Sequence, residues 1–177
     1  MPRGFASYRF SSKYSLFLSE ASNEEIVSIS KELSEEVAGQ ARTLSYMSVV
    51  MVIASALVPL VSIFLIQAGS TVTNYDVIVK FVRFAALAMM CIAAVTSMMS
   101  ANKALRALSM STLMWRNVRE SPSDESAYEQ TNAMSRANKL LFTGRNNLKV
   151  GISLLAAGVT LFTATYAFEM LSTMGYF

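Results

Sequence analysis

Three stretches of this chain carry no charged residue: Leu44 to Gln67, Phe84 to Asn102 and Val150 to Phe168. A hydrocarbon core about 30 Å thick is crossed by about 20 apolar residues in helical conformation. Each run is long enough. The fold class that follows is all-α: a polytopic membrane protein with three transmembrane helices, a helical hairpin on the cytoplasmic side between spans two and three, and an amphipathic N-terminal helix.

Composition agrees with this. Of 177 residues, 53% are hydrophobic and 15% charged, and the mean hydropathy is +0.40, too apolar for an ordinary soluble domain. Histidine is absent and cysteine occurs once, at Cys91. That removes an imidazole general base, a His-liganded metal and an internal disulfide. No enzymatic activity, cofactor or metal site is expected. The net charge of +3 fits the positive bias of membrane proteins, and with no recognition motif present no nucleic-acid partner is expected.

Residues 1–22 form a basic and aromatic arm, with Arg3, Arg9 and Lys13 among Phe5, Tyr8, Phe10, Tyr14 and Phe17. Such a composition suits a mitochondrial presequence, an arm lying on a membrane surface or neighbouring subunit, or a frayed tail. Ser22 and Glu25 then have capping-box spacing. Ile26, Ile29, Leu33 and Val37 follow at helical spacing, with Glu24, Lys31, Glu32, Glu35 and Glu36 on other faces, which makes 23–43 an amphipathic helix. It leads into the first span, 44–68, where Pro59 deprives the Ser55 carbonyl of its intrahelical donor and predicts a kink.

The second span occupies 77–102, with an uncharged centre at 84–102. Lys80 and Arg83 stand at its start, where long side chains snorkel to the headgroups; an inward-facing cationic mouth is the alternative. Helical periodicity continues past Asn102 through Ala104, Leu105, Leu108 and Trp115, a face suited to dock on Ile26, Ile29 and Leu33 or on a partner. Pro122 predicts a break. A second arm follows, with Gly144 as its C-terminal stop, so 103–146 is expected to be a basic helical hairpin. The third span is 147–170, and 171–177 are a short outside tail.

Orientation follows from the basic residues. Lys103, Arg106, Arg116, Arg119, Arg136, Lys139, Arg145 and Lys149 lie between spans two and three or at the start of span three, against Lys80 and Arg83 after span one. The positive-inside rule puts the hairpin and N-terminus inside and the C-terminus outside. A bacterial or organellar inner membrane is the expected location. Arg106, Trp115, Arg116, Arg119, Arg136 and Lys139 are the candidate membrane-interface or partner residues.

Small residues recur every seven positions: Ser48, Ser55, Ser62 and Gly69 in the first span, Ala86, Ala93, Ser100 and Ala107 along the second, and Gly144, Gly151, Gly158, Thr165 and Ser172 along the third, where the glycines make the stripe most distinct. Lipid supplies little hydrophobic drive for helix association, so close packing along small faces is a main route, and a seven-residue period matches left-handed crossing at a shallow angle. These are the candidate helix-packing residues.

Methionine pairs with the spacing MxxxM occur at Met47 and Met51, Met110 and Met114, and Met170 and Met174. Together with three spans they superficially resemble the Ctr-type copper transporters, whose thioethers select Cu(I). That family carries MxxxM within its second span, a tight connection to the third, GxxxG in the third, and an outside N-terminus. Here the Met110 pair lies beyond the second span, and Gly151 and Gly158 are seven apart. Methionine as adaptable packing material accounts for the pattern better.

The functional expectation is a non-catalytic subunit of a larger membrane assembly for secretion, conjugation or energy transduction, with the bilayer and other membrane subunits or further copies of itself as partners. The competing expectation is a self-assembling pore, ion channel or membrane effector. In architecture alone, hairpin spans with inward helices are loosely similar to the SLATT group of bacterial membrane effectors.

Overall fold

The computed structural model describes residues 23–68, 76–120 and 124–174. The N-terminal arm, the turn containing Gly69, the break around Pro122 and the last three residues lie outside the described residues, as do the side chains of Ile26 and Ser62. What is described is helical: α1 (Asn23–Ala68), α2 (Asp76–Glu120) and α3 (Asp124–Thr173), of 46, 45 and 50 residues. All three are long and apolar enough to cross a membrane.

At about 1.5 Å per residue these helices are roughly 68 to 75 Å long, more than twice a hydrocarbon core of about 30 Å. Local signals account for their ends. Glu24 and Glu25 occupy the first turn of α1, where carboxylates oppose the helix dipole. Asp124 opens α3 as a residue type suited to a helix start, and α2 ends at Glu120, just short of Pro122, as proline requires of the chain preceding it. Pro59 is held inside α1.

The expected stop at Gly144 does not occur. α3 runs through it to Thr173, so the polar segment after Asn102 is made of the ends of two long helices and contains no separate second arm. A mid-helix glycine costs only about 1 kcal/mol relative to alanine, too little to stop a long helix, and Gly144, one of the seven-residue stripe, is buried.

The chain forms two compact units, one from Met1–Tyr46 with Ala101–Arg145, the other from Met47–Ser100 with Asn146–Phe177. In the first, α1 buries a row of Ser30, Ser34, Val37, Ala41 and Leu44, with Ala38 beside it; the buried residues of α2 include Ala104, Ala107, Ser111 and Val118, and those of α3 include Gln130, Met134, Ala137 and Leu141. The steps alternate between four and three. An average of 3.5 is the coiled-coil repeat, which keeps one narrow seam of each helix facing its neighbours. Outside the seam this unit exposes charge: Lys31, Glu32, Glu35, Glu36, Arg42, Arg106, Arg116, Arg119 and Arg136.

That seam shares Ala104 with the face expected on α2 but departs from it at Leu105 and Trp115. Leu105 is 55% exposed and Trp115 is half-buried, whereas Ala104, Ala107, Ser111 and Val118 are covered. Small side chains win the inward positions because they let helices approach closely; the larger Leu105 lies one position aside.

The second unit follows the same 3.5 spacing, through Val79, Arg83, Ala86, Met90, Ala93, Ser97 and Ser100 on α2, Ser48 and Ser55 on α1, and Gly151, Gly158 and Phe162 on α3. Its exterior carries far less charge than the first unit's, with Lys80 and Lys149 exposed among the described residues. Ile53, Leu57, Leu60, Phe81, Phe84, Ile92, Val95, Met98 and Ile152 all face outward. An exposed apolar surface of this extent marks a membrane or an interface in a protein. With the interior small and polar and the exterior large and apolar, this unit has the distribution of a helix bundle in lipid.

Candidate functional site

The second unit's seam explains where each candidate packing residue went. A Cβ built on Gly151 would lie 2.7 Å from Ser97 Oγ, 3.0 Å from Thr96 Oγ1 and 3.2 Å from the Ala93 carbonyl oxygen. On Gly158 it would lie 3.0 Å from both the Ala86 carbonyl oxygen and Met90 Cγ. Both glycines therefore mark places where α2 and α3 approach closely enough that an added methyl group would force the neighbours to shift, most at Gly151. Ala86, Met90 and Phe162 form the apolar cluster beside Gly158, with Val58, Leu155 and Leu161 packed against it. Ser48 and Ser55 are buried on α1.

Hydroxyls line the rest. Ser48 Oγ donates to Ser100 Oγ at 2.8 Å, joining α1 to α2. Ser55 Oγ and Ser97 Oγ are buried without a hydrogen-bond partner. Ser55 also stands one turn before Pro59, which has no N–H to give to the Ser55 carbonyl. Buried unpaired hydroxyls each cost about 1–3 kcal/mol, so this stretch is the least satisfied part of the seam.

Arg83 supplies the largest departure from expectation. It does not snorkel. Its guanidinium is inside, where Nη2 pairs with Glu169 Oε2 and the two side chains are only 10% and 19% exposed. Its Cζ lies 6.0 Å from the centre of the Phe162 ring, within reach of a cation–π attraction. Arg83 Nε is buried and has no partner. The cause is register: Arg83 occupies an inward step between Val79 and Ala86, while its neighbours Phe81 and Phe84 point out at 73% and 72% exposure. A four-residue step from Val79 cannot place Arg83 on the lipid face, and Glu169, which a span end alone would leave solvated, provides the counter-charge. Such a pair gives little net stability over apolar residues of similar shape, but removing one partner is costly. What it does is fix α2 against α3.

In the first unit, polar side chains tap the backbone of α1. Ser111 Oγ donates to the Ser34 carbonyl at 2.8 Å, and Gln130 Nε2 donates to the Ser30 carbonyl at 3.0 Å. Arg145 Nη2 donates to Gln40 Oε1 at 3.0 Å, and Gln40 Nε2 donates to Glu36 Oε1 at 3.1 Å. Ser30, Ser34, Ser111 and Gln130 were not among the candidates. A serine at a 3.5-residue period was the available signal, visible at Ser97, Ser111 and Ser30 with Ser34, although nothing local announces Gln130.

The candidate interface residues lie on the outer surface of the first unit: Arg106, Arg116, Arg119, Arg136 and Lys139 are exposed, Trp115 half so. Arg116 Nε pairs with Glu120 Oε1 at 2.8 Å across one helical turn. The methionine pairs are not at the centre. Met47, Met170 and Met174 are 53%, 46% and 63% exposed, while the fully buried methionine is Met90. Cys91 is exposed. Among the described residues, no three His, Cys, Asp or Glu side chains gather.

Neither a protein-family model, a curated protein nor a solved structure matches the chain.

Proposed function

We propose that this chain is a non-catalytic integral membrane subunit of a larger membrane assembly, with its second unit in the bilayer and its first unit in water on the cytoplasmic or matrix side. The observation that carries the reading is the difference in exterior chemistry between the units: the second exposes large apolar side chains with little charge, whereas the first mixes abundant exposed charge with Leu105, Leu113, Tyr128 and Phe142. The basic residues after Asn102 favour the inside for the N-terminus and for the α2–α3 connection, and the outside for the C-terminus. The membrane is a bacterial or organellar inner membrane.

A structural role fits the interior. Its serines, glycines and the Arg83–Glu169 pair hold helices together, and the small-residue faces are taken up within the chain. Partner subunits would therefore engage the outer surface, through Arg106, Arg116, Arg119, Arg136, Lys139 and the part of Trp115 that remains open. Native mass spectrometry of protein gently extracted from its membrane tests this. Co-purification with other polypeptides in fixed ratio is the expected result; a stable, isolated homo-oligomer would count against it.

One observation favours the second reading, a self-assembling pore or membrane effector. Ser55 and Ser97 hold buried hydroxyls that lack partners, and water would satisfy them if the helices separated around a lumen. Ion flux through liposomes containing only this chain would support the pore, and intact ion gradients would leave the subunit reading in place.

A further inference from the structure

We infer that the end of the first unit formed by Tyr46, Ala101 and Arg145 is a collar that retains anionic lipid headgroups, through the phosphate diester. This rests on the membrane reading above. Arg42, Arg106, Lys139 and Arg145 are all exposed, and Lys103 is half-exposed. Measured along each helix at about 1.5 Å per residue, Arg42 lies about 6 Å from Tyr46, Lys103 and Arg106 about 3 and 8 Å from Ala101, and Lys139 about 9 Å from Arg145. All five cations thus fall within two helical turns of that end.

One acid reaches the band: Glu36 lies about 9 Å from Arg42 along α1 and accepts from Gln40 Nε2 at 3.1 Å, and Gln40 accepts in turn from Arg145. On α2 and α3 the nearest acids, Glu120 and Glu129, stand about 28 and 24 Å from that end, well beyond the screening length of about 8 Å at physiological ionic strength, so on these helices five cations face a single carboxylate. Its geometry is partly fixed in advance. Gln40 Oε1 accepts from Arg145 Nη2, which leaves the remaining guanidinium donors of Arg145 for a phosphate, and guanidinium donors match phosphate oxygens in pairs. Tyr46, 71% exposed, has the amphipathic ring typical of the headgroup level. Arg116 and Arg119 lie about 23 and 27 Å from Ala101, too far to take part.

The test uses the full chain in nanodiscs of phosphatidylcholine and phosphatidylglycerol, with native mass spectrometry counting the lipids that stay bound. Phosphatidylglycerol should be enriched over its share of the bilayer, and the enrichment should fall as salt is raised. Each cation removed should lower it about fivefold. Arg42→Gln with Arg106→Gln, Lys139→Gln and Arg145→Gln should abolish it, and Arg116→Gln with Arg119→Gln should leave it unchanged. Equal retention of both lipids, an enrichment indifferent to salt, or an equal loss in the Arg116/Arg119 variant would overturn the inference. Displacement by millimolar glycerol phosphate would also overturn it, by assigning the site to a soluble phosphate. If the collar variant does not fold, the salt titration of the unaltered protein decides. A chain that fails to enter nanodiscs refutes the membrane reading itself; one that enters without enrichment refutes only the collar.

Discussion

Gly151→Ala adds one methyl group at the tightest approach of α2 and α3. Ordinary van der Waals contact begins at 3.4 Å, and the new Cβ would stand inside that limit three times over, at 2.7 Å from Ser97 Oγ, 3.0 Å from Thr96 Oγ1 and 3.2 Å from the Ala93 carbonyl oxygen. None of these atoms moves easily. Ser97 is fully buried, Thr96 Oγ1 is hydrogen-bonded to that same Ala93 carbonyl at 3.0 Å, and the carbonyl belongs to the helix. Overpacking of this kind costs about 1–3 kcal/mol, with this site in the upper half of the range. The gain in helix propensity returns about 1 kcal/mol. The net expectation is a loss of about 1–2 kcal/mol. Ser97→Ala removes the closest contact together with an unpartnered hydroxyl, so in that background Gly151→Ala should cost about 1 kcal/mol less. The assay is reversible SDS titration in mixed micelles, read by a donor–acceptor pair at Met98→Cys and Ile152→Cys in a Cys91→Ser background; Met98 and Ile152 are both exposed. A stabilising Gly151→Ala, or additivity with Ser97→Ala within about 0.3–0.5 kcal/mol, would refute the packing account.

Gly39 supplies the contrast, since nothing lies within 4 Å of its built Cβ: Gly39→Ala should stabilise by about 0.5–1 kcal/mol, measurable in the same titration. Removing one member of the Arg83–Glu169 pair, as Glu169→Leu or Arg83→Met, should cost about 3–5 kcal/mol by leaving a charge in the seam, while the double variant recovers most of it; an equal loss in both single variants and the double would contradict the pairing. Ser48→Ala should cost about 0.6 kcal/mol, the usual worth of an interhelical hydrogen bond in a membrane protein, and Ser48→Ala with Ser100→Ala should cost no more than either alone, by a double-mutant cycle. Substituting Leu105→Gln on the exposed side of α2 should change stability by less than about 0.5 kcal/mol, whereas Val118→Ala in the seam should cost several times that.

By itself, the sequence determined the helical element type and the three membrane-length helices of the described residues, because these depend on a local property, the absence of charge over about 20 residues. It also marked the heptad-spaced small residues, since Ser48, Ser55, Ala86, Ala93, Gly151 and Gly158 announce themselves by period. Tertiary structure alone decided which way Arg83 points. Its partner Glu169 is 86 residues away, and no local pattern distinguishes a snorkelling arginine from a paired one until the register of α2 against α3 is set. The same holds on α2 beyond Asn102, where Ala104 and Leu105 share the apolar face of the sequence but Ala104 is covered and Leu105 is 55% exposed. Which of two neighbouring positions turns inward depends on where the facing helices stand, and that is a property of the helices together.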